Sequence, residues 1–598
     1  MKYLLAAINA KYIHSNLGIY SLKKYAEEKL SDPPKIELGE YTINHQMDRI
    51  LQDIYRRSPD VAGFSCYIWN ILYVKELVRN LKKVMPKLRI WLGGPEVSYD
   101  AVRVLKELPE VELVMLGEGE ETFRRLLELS EQKLAERMPS EEENNPRNAW
   151  REEELYQLPG IAFRDEDGNI IQTVPAPLLS LDEIPFSYGD LKGLEHRIIY
   201  YESSRGCPFS CSYCLSSIDK RVRFRSLDLV KKELAFFLER KVPQVKFVDR
   251  TFNCKKSHAM EIWRYLLEHD NGVTNFHFEI SADLLDEEEL KLIRQMRPGL
   301  IQLEIGVQST NPETIAEIRR SMDLNKLARN VAAVNSGQNV HQHLDLIAGL
   351  PYENLERFHQ SFDEVYRMEP EQLQLGFLKV LKGSYMEEKA ADYGLVYQSQ
   401  PPYEVLSTRW MVYDDVILLK GVEEMVEVYY NSGQFRTTMR ALEEEAVFTS
   451  PFALYQALAE YYEEKGLSEI NHNRLARYEI LYGFLQERAG LRGTCLEQFR
   501  DRLMYDLYLR ENVKSRPSFA GELSSFKEAA KEFFRKEAAA PKYLEGYDGY
   551  DSRQLAKMAH LEAMGDGTYV LFDYKNRDAL LGNARAFHLT AAQVEGRD

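Results

Sequence analysis

Three cysteines crowded between positions 207 and 214 constrain this chain more than any other feature. Cys207, Cys211 and Cys214 stand as C-x3-C-x2-C within the stretch Ser203-Ser204-Arg205-Gly206-Cys207-Pro208-Phe209-Ser210-Cys211-Ser212-Tyr213-Cys214. That loop is rich in Gly, Pro and Ser and follows an apolar run at 198–201. Three thiolates in so tight a loop can hold three irons of a four-iron cluster and leave the fourth iron without a protein ligand. An electron-transfer cluster takes four cysteines. The alternative is a structural zinc site completed by Cys254 or His258, which stand at i and i+4 and can share one helix face. The chain has 6 cysteines, three of them here. That usage argues for a reducing compartment and a metal centre over a disulfide framework.

Ahead of the loop, short apolar runs alternate with amphipathic helical spacing. Strands are expected at 3–8, 35–41, 61–65, 88–92 and 111–116, and helices at 18–28, 46–57, 71–85, 99–107 and 121–134. This alternation predicts an α/β domain over 1–145, a doubly wound, Rossmann-like and mainly parallel sheet covered on both faces. Ligands of such sheets lie outside the carboxyl ends of the strands. The sequence puts 9–16, 65–70, Gly93-Gly94-Pro95-Glu96 and Gly117-Glu118-Gly119-Glu120 there. Glycine pairs at those ends let the backbone approach a large flat ligand. No G-x-G-x-x-G follows the first strand, which argues against a dinucleotide. From 136 to 195 the periodicity fails: 141–154 reads as an acidic surface linker, and 159–164 and 170–174 as a hairpin around an Asp-Gly turn. Residues 146–195 are thus expected to link two domains.

Beyond the cysteines the alternation resumes, with strands expected at 245–248, 275–280, 300–305, 341–347 and 372–377. With 198–202 they make about six βα units, a partial (β/α)6 barrel of the TIM type over 196–385, its chemistry at the strand carboxyl ends. Those ends carry Asp249, then Glu279 and Ser281, then Gly306 and Gln308, then Asp345. Asp249 and Glu279 also suit helix caps or arginine partners, and Gln308 suits backbone bonding. Cys254 reads as a small packed hydrophobe. The basic run Lys220-Arg221-Val222-Arg223-Phe224-Arg225 is either a solvated strand edge or a grip on an anionic ligand.

The last third, 386–598, is expected to be mostly α-helical, with apolar stripes at 414–430, 435–446, 452–464, 474–488 and 526–536 and a short β signal at 568–573. Tyr461, Tyr462, Tyr478, Tyr482, Tyr505 and Tyr508 read as core packing. No motif marks this region. A net charge of −17 weighs against non-specific nucleic-acid binding. No apolar run is long enough for a bilayer, and 1–10 reads as a buried strand in place of a signal peptide. The expected location is the cytoplasm.

The cysteine loop resembles the signature of the radical SAM (S-adenosylmethionine) superfamily, with Tyr213 matching the aromatic before the last cysteine. Glu304-Ile305-Gly306-Val307-Gln308-Ser309 and Asp345-Leu346-Ile347-Ala348-Gly349-Leu350-Pro351 are similar, in the same order, to segments of coproporphyrinogen-oxidase-type radical SAM enzymes. Gly-Gly-Pro-Glu followed by Gly-Glu-Gly-Glu-x-Thr-Phe is similar to the cobalamin-binding domain placed ahead of many radical SAM cores. The resemblance covers roughly the first two-thirds of the chain. It implies a 4Fe–4S cluster on Cys207, Cys211 and Cys214, with S-adenosylmethionine on the open iron. Tyr213, Asp249, Glu279, Ser281, Gly306 and Gln308 would surround that cofactor. Asp249 is suited to the methionine ammonium, Glu279 or Ser281 to the ribose or carboxylate region, and Gly306 to close approach of the adenosine. It also implies cobalamin at the N-terminal strand ends, near His14, Ser65, Gly93, Gly94, Gly117 and Glu118. A cobalt-ligating histidine comes from Asp-x-His-x-x-Gly, but here Tyr12 replaces the Asp and Gly18 lies one residue too far. His14 is therefore either the cobalt ligand or a loop histidine bonded to backbone or to the nucleotide tail.

The implied activity is reductive cleavage of S-adenosylmethionine to a 5′-deoxyadenosyl radical, hydrogen abstraction from an unactivated C–H bond, and C-methylation from methylcobalamin. Two other readings remain: a radical rearrangement, cyclisation or epimerisation without methyl transfer, and a non-catalytic cobalamin and Fe–S sensor. The implied partners are a small-molecule or peptide substrate and an external electron donor such as flavodoxin or ferredoxin. Nucleic acid and membrane are not expected.

Overall fold

The computed structural model describes residues 1–136, 152–521, 526–578 and 582–595, so most of the acidic linker expected at 141–154 lies outside the described residues. The N-terminal sheet holds β1 (Lys2–Asn9), β2 (Lys35–Thr42), β3 (Val61–Ser65), β4 (Arg89–Gly93), β5 (Leu113–Met115), β6 (Ile161–Arg164) and β7 (Ile170–Gln172). Their order is β2-β1-β3-β4-β5-β6-β7, and β1 to β5 are parallel. Every residue of β1 after Lys2 is buried, as a central strand covered on both faces requires. Val74, Leu77, Val78 and Leu81 of the helix Ile71–Val84 cover one face; Phe123, Leu126 and Leu127 of Glu120–Glu136 cover the other. From β1 the chain passes to β2 on one side and returns to β3 on the other. The loops after β1 and β3 therefore part and leave a crevice at their carboxyl ends. The expected hairpin forms, yet it extends the sheet: β6 pairs antiparallel with β5, and β7 with β6. It covers what would otherwise be a bare β5 edge.

The second sheet begins at β8 (Ile199–Tyr201). A two-residue ribbon, β9 (Ser204–Arg205) with β10 (Arg223–Phe224), closes the base of the cysteine loop. At its turn Gly206 has φ +101°, and a Cβ there would lie 2.3 Å from the Arg221 carbonyl oxygen, so only glycine fits. Then follow β11 (Gln244–Phe247), β12 (Asn275–Ile280), β13 (Ile301–Gln308), β14 (His341–Ala348) and β15 (Gln372–Phe377). The sheet runs β15-β14-β13-β12-β11-β8, parallel throughout, the expected partial barrel. Along β13, Ile301, Leu303, Ile305 and Val307 are buried in the core outside the barrel. Gln302, Glu304, Gly306 and Gln308 alternate with them on the inner face. The lumen is therefore polar, unlike the apolar layers that fill a closed barrel.

Helices Tyr413–Val426, Arg436–Glu444, Pro451–Glu464, Arg474–Glu487 and Gly493–Arg510 share one continuous core with the barrel. Tyr461, Tyr462, Tyr478 and Tyr508 are buried, in keeping with packing. The β signal at 568–573 proves to be one strand of a three-stranded antiparallel sheet, Ala559–Ala563, Tyr569–Arg577 and Ala584–Leu589.

The carboxyl ends of the N-terminal sheet face the barrel and are tied to it. Ile198 N donates to the Ile13 carbonyl at 2.7 Å, and Arg197 pairs with Glu40 at 2.7 Å. Glu96, buried, accepts from Tyr403 and meets Lys382 Nζ at 3.1 Å. Arg205 gathers Glu118 (3.2 Å), Glu120 (2.9 Å) and Glu202 (2.7 Å). Arg223 also pairs with Glu118, and Arg225 is buried against Glu233. Within the basic run Arg223 and Arg225 turn inward and bind carboxylates, while Arg221 stays exposed.

Replacing Arg205 with Ala leaves buried Glu120 without its cation. The expected cost is roughly 3–5 kcal/mol, read as a lower denaturant midpoint at unchanged slope. Arg221→Ala, at an exposed pair with Asp219, should change stability by less than about 0.5 kcal/mol.

Candidate functional site

The cysteine loop is fixed from three sides. At the end of β11, Asp249 is fully buried and accepts from Ser203 N (3.0 Å), Ser203 Oγ (2.7 Å) and Ser204 Oγ (2.6 Å). Burial pushes its carboxyl up to about 6, against the pull of those donors. In mid-loop, Ser212 N donates to the Ile318 carbonyl and Met386 N to the Ser212 carbonyl, each at 2.9 Å. Behind the loop, Arg320 Nη1 lies 3.3 Å from Tyr213 Oη and 3.8 Å from Cys211 Sγ, while Nη2 donates to the Gly306 carbonyl. Arg320 thus sets a guanidinium beside the Cys211 thiol and the Tyr213 hydroxyl.

Cys207 and Cys211 are buried and Cys214 is half-buried. Tetrahedral zinc with Zn–S bonds of about 2.3 Å would draw its thiolates to roughly 3.8 Å from one another. Among the described residues, the one set of three or more His, Cys, Asp or Glu ligand atoms within 4.8 Å of one another lies elsewhere. Among the described residues the three thiols are thus not gathered as closely as a tetrahedral zinc site would hold them.

A cavity opens between this loop and the barrel mouth. Phe209 and Thr251 bound it on the loop side, Arg250 and Arg320 on its flanks. From the strand ends come Glu279, Ser281, Gly306, Gln308 and Asp345. Gln308 has φ +73° at a bulge where the β13–β14 register shifts, a strained position for a non-glycine residue and of a kind that clusters at functional sites. Gln308 Oε1 and Arg320 Nε are buried without hydrogen-bond partners. Such orphaned polar atoms on a cavity wall suit an extended polar ligand, and S-adenosylmethionine fits that description. A Cβ on Gly306 would lie 2.3 Å from Gln308 Nε2, so the glycine keeps the wall low. Ser281 Oγ donates to Asp283 at 2.6 Å. Burial, then the neighbouring Glu304, pushes the Glu279 carboxyl up to about 7. Asp249 is a correction: it does not line the cavity, and both its oxygens are taken by the loop it anchors. Tyr213 stands behind the wall as a partner of Arg320.

At the N-terminal strand ends, His14 Nδ1 is 2.7 Å from Tyr200 Oη of β8, and burial, then Lys11, lowers its pKa. Ser65 Oγ accepts from Asn16 Nδ2 at 3.2 Å, across the crevice between β1 and β3. In the loop after β3, Trp69 stacks on Tyr67 with centroids 4.4 Å apart and remains 43% exposed. A flat exposed aromatic beside the open strand ends suits a planar macrocycle such as cobalamin. Gly117 has nothing within 4 Å of where a Cβ would stand, so its face is open to a ligand. Gly94 is a correction. A Cβ on Gly94, at φ +112°, would meet the Cys66 carbonyl oxygen at 2.5 Å, and one on Gly93 would meet Met115 Cε at 3.3 Å. Gly94 lets the backbone pack on itself, and Gly93 makes room for the Met115 side chain. Glu118 is a third correction, since its carboxylate is spent on Arg223 and Arg205.

The sequence reading passed over Arg320, Lys246, His277 and His343. Lys246 Nζ and His277 Nε2 lie 2.8 and 2.9 Å from Glu304 Oε2, and His343 Nε2 lies 2.9 Å from Asp345 Oδ1. The two-residue spacing of His277 with Glu279 and of His343 with Asp345 was the available signal, because it puts each pair on one face of its strand. Arg320 lies in an irregular segment and carried no such signal.

Three family models match this chain in order: the B12 binding domain over residues 3–127, the radical SAM superfamily over 201–365, and a protein family of unknown function, DUF4080, over 391–576. The chain is 26% identical over 362 residues to the cobalamin-dependent radical SAM methyltransferase TokK of Streptomyces tokunonensis, covering 56% of this chain and 50% of that one. It is 24% identical over 335 residues to the anaerobic magnesium-protoporphyrin IX monomethyl ester cyclase of Rubrivivax gelatinosus, covering 54% and 56%. The solved structure of the cobalamin-dependent S-adenosylmethionine radical enzyme OxsB with aqua-cobalamin bound shares the fold, with TM-score 0.57 at 16% identity over 84% of this chain and 80% of that one. The chain spans about half the length of the curated relatives it matches. A B12-binding domain joined to a radical SAM domain calls for cobalamin, a 4Fe–4S cluster and S-adenosylmethionine.

Ionised Glu279 attracts a sulfonium cation and the protonated acid does not. Affinity for S-adenosylmethionine, measured by equilibrium dialysis on the cluster-loaded protein, should therefore rise several-fold as pH increases through about 7. Glu279→Gln should flatten that rise and hold affinity near the low-pH value.

Proposed function

We propose that this chain, a radical SAM enzyme with an N-terminal cobalamin-binding domain, transfers a methyl group to an unactivated carbon of a small-molecule or peptide substrate. The observation that carries this reading is the meeting, carboxyl end to carboxyl end, of the parallel strands of two sheets. One brings the crevice between β1 and β3; the other brings the cysteine loop and its cavity. When bound, the cluster and S-adenosylmethionine supply one-electron C–S cleavage and hydrogen abstraction, and cobalamin supplies the methyl group.

The residues of the chain divide the remaining tasks. Cys207, Cys211 and Cys214 hold the cluster, and Arg320 offsets the charge of the thiolates from the protein side. Gly306, Gln308, Ser281 and Glu279 hold and orient the sulfonium cofactor, with Glu279 supplying a carboxylate whose charge grows near neutral pH. Asp249 keeps the loop from drifting, and a shift of about 1 Å in such an arrangement is enough to cost orders of magnitude in rate. Ion pairs at Glu96, Glu118 and Glu120 hold the two sheets at a set distance, which keeps the reacting groups in place and water out.

A second reading, cyclisation or rearrangement without methyl transfer, is supported by the likeness to the anaerobic cyclase. One experiment separates the readings. The chain is purified without oxygen in the presence of cobalamin, reduced, and supplied with S-adenosylmethionine and a metabolite extract, and the products are followed by mass spectrometry. Methyl transfer should give S-adenosylhomocysteine and 5′-deoxyadenosine together with a product one methyl heavier than its precursor. 5′-Deoxyadenosine without S-adenosylhomocysteine would replace methyl transfer with the second reading, and no cleavage at all would sink both. Cys211→Ala should abolish both small products.

A further inference from the structure

One buried histidine behind the cysteine loop has no part in the function proposed above. His258 sits in the first turn of the helix Lys256–Glu268 and is 3% exposed. Its ring lies between Phe224 of β10, with centroids 4.9 Å apart, and Phe252, at 6.5 Å. Its Nε2 lies 3.1 Å from Ser203 Oγ. The same hydroxyl lies 2.7 Å from Asp249 Oδ1, while Ser203 N lies 3.0 Å from Oδ2. A helix, the β9–β10 ribbon, the end of β11 and the start of the cysteine loop thus meet around one hydroxyl.

The protons in this chain of contacts can be placed. A serine hydroxyl carries one proton, and an ionised carboxylate only accepts. The Ser203 proton therefore goes to Asp249, and the contact with His258 is a hydrogen bond only if the imidazole donates. The ring is then neutral, with its proton on Nε2. Burial, then Lys255, lowers its pKa to about 4, in keeping with a neutral ring. Donation into Ser203 Oγ polarises the hydroxyl and strengthens the bond it makes in turn to Asp249. A histidine suits the place because it fills an apolar slot with a flat ring and still offers one N–H.

We propose that His258 is a positioning residue for the cysteine loop: as the Nε2–H tautomer it directs the Ser203 hydroxyl at Asp249, and so sets where Cys207 stands. It is not among the residues that line the cavity, so it acts through Ser203 and Asp249 and not on the cofactor. The inference deepens the cluster-holding part of the proposed function and stands whichever radical outcome the enzyme catalyses.

The test compares variants of the full chain. His258→Phe keeps a ring in the slot and loses the donor, whereas His258→Gln keeps an N–H at similar reach. His269→Gln, at the exposed end of the same helix, is the control. In the cluster-free chain, hydrogen exchange over residues 203–214, followed by mass spectrometry, should quicken about fivefold or more in His258→Phe. It should return to within about twofold of the parent in His258→Gln and stay unchanged in His269→Gln. In the cluster-loaded chain reduced with dithionite, kcat for S-adenosylmethionine cleavage should fall about tenfold in His258→Phe at unchanged KM. The electron paramagnetic resonance spectrum of the reduced cluster should change with it. Ser203→Ala should act alike, and adding His258→Phe to it should cost nothing further. Additive losses, or unchanged exchange in His258→Phe, would overturn the proposal. Where His258→Phe does not fold, the 15N spectrum of the histidine-labelled parent decides. The imidazole signal that moves in Ser203→Ala must carry its proton on Nε2 at pH 7; the other tautomer, or no signal that moves, sinks the assignment. Exchange in the cluster-free chain needs no turnover, so failure of the radical reading is told apart from failure of this one.

Discussion

A carboxylate sealed in the interior does most to hold the chemistry of this chain in one place. Asp249 has no solvent contact, and three donors from Ser203 and Ser204 converge on it. Burial alone disfavours its charge, and a pKa of about 6 against an ordinary 3.8 means that ionisation still costs about 3 kcal/mol after those bonds form. The sign is that of a raised acid: stability is full below the unfolded value, falls as pH rises from about 4 to about 6, and is level above. The chain keeps the group because the serines it binds lead, through Arg205 and Gly206, into the first cysteine. A loop of Gly, Pro and Ser has little structure of its own, and this contact joins it to the end of β11. Ser212, Met386 and Arg320 complete the restraint from the far side.

The same logic explains the acidity at the domain boundary. Glu40, Glu96, Glu118 and Glu120 all sit at carboxyl ends of the N-terminal sheet, and each is bound to a barrel or C-terminal side chain. Surface ion pairs are worth little. These are at least half-buried and bridge segments far apart in the chain, so they act by fixing geometry. A crevice and a cavity that must work on one substrate need a constant separation, and charge pairs with directional bonds supply it better than a greasy interface that can slide.

How much of this was legible in the sequence follows from the range of each interaction. Strand and helix patterning is local, and the βα alternation yielded both sheets and the barrel strands to within a few residues. The three cysteines announced themselves by spacing. Glu279, Ser281, Gly306 and Gln308 stand on strand ends and duly line the cavity. Asp249 was the right residue at the right strand end, but its partners lie more than forty positions upstream and only the fold brings them near. Glu118 and Gly94 misled for a related reason: an acidic residue or a glycine in a strand-end loop reads as ligand-facing, whereas here arginines and a neighbouring backbone claim them. Arg320 belongs to no repeat at all. The hairpin was legible, and its membership of the first sheet was not, because pairing with β5 is a long-range event.

A polar lumen has a price in stability, and the rest of the chain is arranged to offset it. Closed barrels gain stability from branched apolar side chains packed in layers inside. Here Lys246, His277, Glu279, Glu304, His343 and Asp345 occupy that space, and the sheet stays open with β8 and β15 at its two edges. The apolar half of every strand faces outward, where Ile301, Leu303, Ile305 and Val307 join a core that runs without a break into the C-terminal helices. Phe452, Tyr455, Leu458, Tyr478, Leu481 and Phe484 extend it well past the barrel wall. At about 25 cal/mol per Å² of apolar surface buried, each such side chain contributes on the order of 2 kcal/mol. The C-terminal helices therefore need not touch substrate to matter: they supply packing that the lumen forgoes, and that frees the inner face of the barrel for charge.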